Sequence, residues 1–333
     1  MEHEFKDRIN LNTDLSRISR LICNEYDLGE YISETIITVG YEDFNYILET
    51  TTGKYCVKIF HRGRKDKDCK KYIDRIELAE AADINTPKLY RANNASECII
   101  EVDGVKYRLC LFEYINGNSF FELGITPNED EIKEIVRQMT NIHKQQLNSA
   151  VIYDKWAIIN FIEEFEDKKQ YLNKRDYKKL SELLIRFKDI DMEKLPHAFT
   201  HGDIISTNVM KDNNGKLWII DFAVSNYMPR IVDLAVSSCN LCLNPKSLKE
   251  TKSEIEMILK EYEKYNKLTD YEKKAFPIFF DIANAMGILQ ISYLISQGEA
   301  SMEDSFWYNV SEKGLEFSNN NFWNGILKKV KCK

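Results

Sequence analysis

The sequence predicts an α+β protein in two unequal parts, a strand-rich first third and a mainly helical remainder. Three observations carry this. Short β-branched and aromatic runs punctuated by turn residues crowd the first 115 positions, the Asn116-Gly117-Asn118 segment breaks the pattern, and beyond it apolar residues recur at helical spacing. The expected division is therefore 1–115, with a leading helix, and 116–333.

In order along the chain, Ile36 to Val39, Tyr46 to Glu49 and Tyr55 to Phe60 read as strands. Gly40 closes the first, and Thr51-Thr52-Gly53-Lys54 turns between the other two. Lys67 to Ala82 carries Ile73, Ile76, Leu78 and Ala79 and reads as a helix that stops before Pro87. Cys98 to Val102 and Tyr107 to Tyr114 are two further strands joined at Asp103-Gly104, which makes a five-stranded antiparallel sheet with one helix inserted after its third strand. In the larger part, Glu129 to Gln146 places Ile132, Ile135, Val136, Met139 and Ile142 on one face, and Glu254 to Tyr265 repeats the pattern. Between them lies a strand-like island, Val209 to Met210 and Leu217 to Phe222, split by Asp212-Asn213-Asn214-Gly215.

Composition excludes several classes. With 333 residues, 44% hydrophobic and 30% charged, and only 13 Gly and 6 Pro, the chain is neither collagen-like nor wholly disordered. A net charge of −7 supplies no positive field for nucleic acid, whereas it tolerates a cationic small ligand. Eight cysteines are too dilute for a disulfide scaffold and point to a reducing, cytoplasmic setting. The start, Met1 to Asp7, lacks the basic and apolar regions of a signal peptide. Phe276 to Ser296 is the longest apolar stretch, but Pro277, Asp281, Asn284 and Gln290 interrupt it, so a buried helix is expected rather than a membrane span.

The chemistry concentrates in His201-Gly202-Asp203-Ile204-Ile205-Ser206-Thr207-Asn208, followed by Trp218-Ile219-Ile220-Asp221-Phe222. Asn208 and Asp221 are hard oxygen donors suited to Mg2+, which takes few protein ligands when nucleotide phosphates complete its shell. Asp203 would be left to accept a proton from a hydroxyl if the metal sits on Asn208 and Asp221 rather than on it. Upstream, Lys58 stands amid the apolar strand Cys56-Val57-Lys58-Ile59-Phe60, where an ammonium is costly unless it meets an anion.

The pattern H-G-D-x4-N, then I-D-F, then Arg230 to Ala235 resembles the aminoglycoside phosphotransferase and choline kinase superfamily, small-molecule kinases of protein-kinase-like fold. The resemblance runs from about Glu30 to at least Ala235, and Ile142-His143 is similar to a Leu-His pair of that family. It implies ATP and Mg2+ as cofactors and a small-molecule hydroxyl as acceptor. It also implies Asp203 as catalytic base, Asn208 and Asp221 as metal ligands, Lys58 on the α and β phosphates, and Asp233 as a structural partner of the catalytic loop. Adenine is expected along Phe112-Glu113-Tyr114-Ile115, with backbone contacts at Glu113 and Ile115. Gly40 marks the expected loop over the phosphates, although Gly40 to Tyr46 holds one glycine where protein kinases show three. Asp74, Glu77 and Glu80 all compete as the helix acid paired with Lys58, with Glu77 favoured.

Twelve positions separate Asp221 from Asp233, too few for the activation segment of a protein kinase, and Gly202 replaces the Arg of H-R-D. A small-molecule kinase is therefore expected, against a catalytically silent nucleotide-binding protein of the same fold or a protein kinase. Glu163, Glu164, Asp281, Glu303 and Asp304, with Phe306-Trp307-Tyr308, are candidates for receiving a cationic acceptor, such as an aminoglycoside or choline. Homoserine and sugar-like acceptors also fit the resemblance. His143 and His201 are expected to be packing residues, Cys239 and Cys242 core cysteines, and His61 to Lys71 a solvated basic loop and helix start.

Overall fold

The structure is a computed structural model that describes residues 6–38, 43–146, 151–318 and 320–330. The chain divides into two units, Met1–Ala81 with Asn85–Gly117, and Ala82–Ile84 with Asn118–Lys333. The sequence put a single cut after residue 115. The structure adds Ala82–Ile84 to the second unit, where the Asn141 side chain donates to the Asp83 carbonyl at 3.1 Å.

The first unit is an antiparallel sheet of β1 (Tyr31–Ile37), β2 (Phe44–Thr50), β3 (Gly53–Ile59), β4 (Leu89–Tyr90), β5 (Cys98–Val102) and β6 (Val105–Glu113). Its order is β1-β2-β3-β6-β4, with β5 also paired to β6. Four of the five expected strands are found, the first expected strand shares only Ile36 and Ile37 with β1, and a sixth, β4, has two residues, too few to leave a period in the sequence. In β2 burial alternates, Phe44, Tyr46, Leu48 and Thr50 facing inward, as a strand with one covered face requires. Helix α1 (Leu15–Glu25), capped by Asp14 on the Ser16 amide, supplies that cover: Ile18 and Ile22 pack with Phe44, Tyr46, Leu48, Val57, Ile59 and Leu111. Asp103 and Gly104 both take positive φ, 52° and 79°, the type I′ geometry that a two-residue hairpin favours. Alternation turns Lys58 to the sheet face opposite Val57 and Ile59. On that side α2 (Asp66–Glu80) brings the Tyr72 ring to 5.2 Å from its Nζ.

The second unit holds β7 (Gly117–Ser119), α3 (Phe120–Leu123), α4 (Glu129–Ile142), α5 (Phe161–Lys168), α6 (Lys174–Lys188), β8 (His197–Thr200), β9 (Val209–Asp212), β10 (Leu217–Ile219), β11 (Asn226–Pro229), α7 (Ile231–Asn240), α8 (Leu248–Tyr265), α9 (Asp270–Gln297), α10 (Met302–Phe317) and α11 (Asn320–Leu327). Strands β10, β9 and β7 form one small sheet, and β11 with β8 another. Helix α9 begins with a capping box between Thr269 and Glu272 and packs against α6, α7 and α10. It is long and apolar enough to cross a membrane, yet most of it is buried in the fold. The polar residues that interrupt it are partly satisfied within the protein: Asp281 takes Arg186, Gln290 takes Glu164, and the Asn284 amide donates to the Phe280 carbonyl, while Oδ1 of Asp281 and of Asn284 is buried without a hydrogen bond among the described residues.

Candidate active site

The β2–β3 register pairs Phe44 with Ile59 and Asn45 with Lys58, so the residue before β2 meets the residues after β3. Asp43 consequently sits against His61, whose backbone amide donates to its Oδ1 at 3.0 Å. Its other oxygen, Oδ2, lies 3.7 Å from Lys58 Nζ and 3.3 Å from Arg64 Nη2. The three side chains are largely withdrawn from water, at 2% exposure for Asp43 and 12% each for Lys58 and Arg64. The Arg64 guanidinium also lies over the rings of Phe60 and Tyr72. The expectation of a wholly solvated basic loop therefore fails at Arg64.

Glu77 is not brought to Lys58. Helix α2 buries Tyr72, Ile73, Arg75, Ile76 and Ala79, which rotates Glu77 outward, where its carboxylate receives the Ser96 hydroxyl at 2.5 Å and lies 3.5 Å from Arg91. Glu80 likewise meets Arg91 and the Leu89 amide. Gly40 lies outside the described residues. Glu113 pairs with the 88–90 segment, its amide donating to the Lys88 carbonyl at 2.9 Å, and the buried Ile115 accepts from the Gly117 amide at 3.0 Å. Across from Lys58, Asn45 Oδ1 is buried with no hydrogen-bond partner.

In the second unit the catalytic-motif loop is braced from behind. Asp233, fully buried near the start of α7, accepts the amides of His201 at 3.0 Å and Gly202 at 2.6 Å. It also stands 2.9 Å from His143 Nε2 at the end of α4, whose Nδ1 is 2.8 Å from the Tyr262 hydroxyl of α8. Since a carboxylate only accepts, His143 donates through Nε2, and its Nδ1 is hydrogen-bonded to the tyrosine hydroxyl. The His201 ring, also fully buried, is 3.0 Å from the Ile220 carbonyl through Nε2 and accepts the Asp203 amide at Nδ1 at 3.1 Å. Burial lowers its pKa, and because both ring nitrogens are engaged by the backbone the ring is a brace with no lone pair left to act as a base. Gly202 has φ of +83°, and a Cβ there would approach Met228 Cε to 2.9 Å and the Val224 carbonyl to 3.3 Å. Glycine is required on both counts.

Within this frame Asn208 Nδ2 donates to the Asp203 carbonyl at 3.0 Å and to its Oδ2 at 2.7 Å. Both amide hydrogens are thereby used, which leaves Oδ1 as the end of Asn208 that could meet a cation. Asp221 takes a left-handed φ of 65°, which Asp tolerates better than most residues, and is exposed. Burial first, and then the carboxylates of Asp221 and Asp154, push the Asp203 carboxyl up to about 8. Among the described residues no group of three His, Cys, Asp or Glu forms a metal cage. One amide oxygen and one carboxylate beside a crowded acid fit Mg2+, a cation that keeps few protein ligands and takes its other oxygens from phosphates and water.

The acids considered for a cationic acceptor are mostly engaged elsewhere. Glu164 pairs with Lys168 and receives Tyr153 and Gln290, Asp281 pairs with Arg186 at 3.1 Å, and Asp304 caps its own helix at Ser301. Glu163 is exposed, and of Glu303 only the backbone is described. Tyr308 donates to Asp176, while Trp307 meets Phe121 at a tilt and the half-exposed Phe306 edge-on. The Phe121 amide in turn donates to the Ser206 carbonyl of the catalytic-motif loop at 3.0 Å. Cys239 and Cys242 are free thiols in the α7 region, and burial raises both. The sequence reading passed over Asp43, Asp154 and the link from His143 to Tyr262.

A strand-rich unit with a lysine on its third strand, and a helical unit with an H-G-D-x4-N loop braced by a buried aspartate, are those of a small-molecule phosphotransferase. The family model for the phosphotransferase enzyme family, APH, matches residues 34–271, and the chain belongs to that family. It is 22% identical over 258 residues to the homoserine kinase of Zymomonas mobilis subsp. mobilis, spanning 75% of this chain and 77% of that relative. Amicoumacin kinase hAmiN, solved with AMP-PNP and Ca2+, has a similar fold at a TM-score of 0.68 and 16% identity, over 95% of this chain and 96% of that one. Choline kinase LicA from Streptococcus pneumoniae gives 0.60 and 18%, over 91% and 99%.

Proposed function

We propose that the protein transfers the γ-phosphoryl group of ATP to a hydroxyl of a small molecule, with homoserine as the first acceptor to test. The observation that carries this is the placement of the Asp203 carboxylate, fixed by Asn208 at 2.7 Å in a loop whose preceding two amides are clamped by Asp233. In this reading Asp203 orients the acceptor hydroxyl and takes its proton as the oxygen attacks the γ phosphorus, and the bond to the β-phosphate oxygen breaks to release ADP. Lys58 meets the α and β phosphates, and the backbone at Glu113 and Ile115 meets adenine. Asn208 and Asp221 would hold Mg2+, which when bound neutralises charge on the phosphates. Gly40 and its neighbours would cover them. Residues 1–115 act as the nucleotide-binding part and 116–333 as the catalytic and acceptor-binding part.

Two considerations favour homoserine over a polycation. A relative across three quarters of the chain is a homoserine kinase, whereas the solved amicoumacin and choline kinases support the fold alone. Glu164, Asp281 and Asp304 already have partners, so they are poorly disposed to gather several ammonium groups. The test is ADP release with Mg2+ and ATP in the presence of homoserine, choline, ethanolamine or an aminoglycoside, with the phosphorylated product identified by mass. Transfer to homoserine is expected. Transfer to another member of the panel corrects the acceptor alone, and Mg-ATP binding without transfer to any of them would favour a silent nucleotide-binding protein.

A further inference from the structure

The geometry points to Asp43 as the positioning residue for Lys58, in the place where a helix acid was expected. Asp43 is not a catalytic residue in this account. It acts through the lysine, and the inference rests on the reading that Lys58 meets nucleotide phosphates.

Four observations converge on it. Asp43 Oδ2 is 3.7 Å from Lys58 Nζ and 3.3 Å from Arg64 Nη2, so one oxygen holds two cations side by side. The other oxygen is anchored by the His61 amide, and the Arg8 guanidinium donates to the Asp43 carbonyl at 3.3 Å, which fixes the residue from its backbone as well. The Tyr72 ring lies beneath both cations, 5.2 Å from Lys58 Nζ and 5.8 Å from the Arg64 guanidinium carbon. Finally, two of the three candidate helix acids are committed elsewhere, Glu77 to Ser96 and Arg91, and Glu80 to Arg91 and Leu89.

A lysine on a four-carbon stem loses considerable rotamer freedom when it is held in one place, and a buried carboxylate at its head lowers that cost before the phosphates arrive. An opposite charge at its head also offsets part of the cost of holding an ammonium in a site poor in water. Asp43 directly precedes β2 and falls, in sequence, within the stretch Gly40 to Tyr46 expected to meet the phosphates. Arg64, on the same oxygen and the same ring, is placed as a second positioning cation.

The experiment compares full-length Asp43→Asn, Asp43→Glu, Glu77→Gln and Lys58→Met with the unaltered chain. It reads calorimetric binding of Mg-ADP, the KM for ATP, kcat, and the melting temperature without nucleotide. Asp43→Asn keeps an oxygen for the His61 amide and removes only charge, so it should weaken ADP binding or raise the ATP KM by about tenfold. The acceptor KM should not move. Asp43→Glu should recover part of that loss, and Glu77→Gln should stay within about twofold, as surface substitutions do. If Lys58→Met loses binding while Asp43→Asn matches Glu77→Gln, the inference is overturned and the reading of Lys58 stands. If Lys58→Met binds ADP like the unaltered chain, that reading falls and the inference with it. Should Asp43→Asn not fold, Asp43→Glu carries the decision: a raised ATP KM at an unchanged melting temperature supports the inference, and an unchanged KM rejects it.

Discussion

The Lys58 seat and the catalytic-motif loop are built by different means. The seat is local: Asp43 reaches His61 and Arg64 across 18 and 21 positions of sequence, inside one hairpin and the turn after it. The loop is braced over distance, by Asp233 across 31 and 32 positions from Gly202 and His201, by His143 across 90 from Asp233, and by Tyr262 across 119 from His143. A locally built seat can be altered with little effect on the rest of the fold. A loop braced by the core of its unit cannot, so changes behind it should alter rate and stability together.

The sharpest way to break that contrast is Gly202→Ala. A left-handed residue with a Cβ crowding Met228 and the Val224 carbonyl should displace the loop, lowering kcat by roughly a hundredfold and the melting temperature with it. A kcat within a factor of about three would show that the loop tolerates displacement, contrary to this account. Next in size is the brace behind Asp233. Tyr262→Phe removes the hydroxyl that satisfies His143 Nδ1 and should cost about 1–2 kcal/mol by chemical denaturation, with a smaller loss of kcat. His143→Leu should cost more, because it leaves Asp233 buried without one of its donors. Equal effects of the two variants would place the energy in packing rather than in the hydrogen bonds.

Much of the loop was legible because its chemistry is contiguous: Asp203 and Asn208 are five residues apart and the motif names both. The position of Lys58 was legible from its strand, since a lysine among Cys56, Val57 and Ile59 is conspicuous. Its partner was not. Which face of α2 looks inward is decided by the packing of Tyr72, Ile73 and Ile76, and the candidate carboxylates at 74, 77 and 80 carry no mark of that rotation. Asp43 stood in view beside Gly40, but its role depends on the strand register that brings residue 43 to residue 61, and a one-residue slip would have turned it away. His143 and Tyr262 meet only because α4 and α8 pack together.

The smallest expected effect separates structural acids from acceptor-binding ones. Burial, only partly offset by Ser318 and then Arg186, pushes the Asp281 carboxyl from 3.8 up to about 6. A raised carboxyl pKa means that the folded state disfavours the charged form, so Asp281 costs stability above about pH 6 and little below about pH 4. Asp281→Asn removes that cost. Its stability relative to the unaltered chain should therefore rise by about 1–3 kcal/mol between roughly pH 4.5 and pH 7.5, with the acceptor KM unchanged. A shift in acceptor KM instead would return Asp281 to the binding site.

The central claim is that Asp203 is the base of a phosphoryl transfer to a small hydroxyl compound. Its most direct test is single-turnover transfer from ATP, with enzyme in excess and Mg2+ present, to the acceptor that the panel identifies, comparing Asp203→Asn with the unaltered chain. The account predicts a rate lower by about a hundredfold or more in the variant while Mg-ADP binding is retained. Transfer by Asp203→Asn at the rate of the unaltered chain would contradict it.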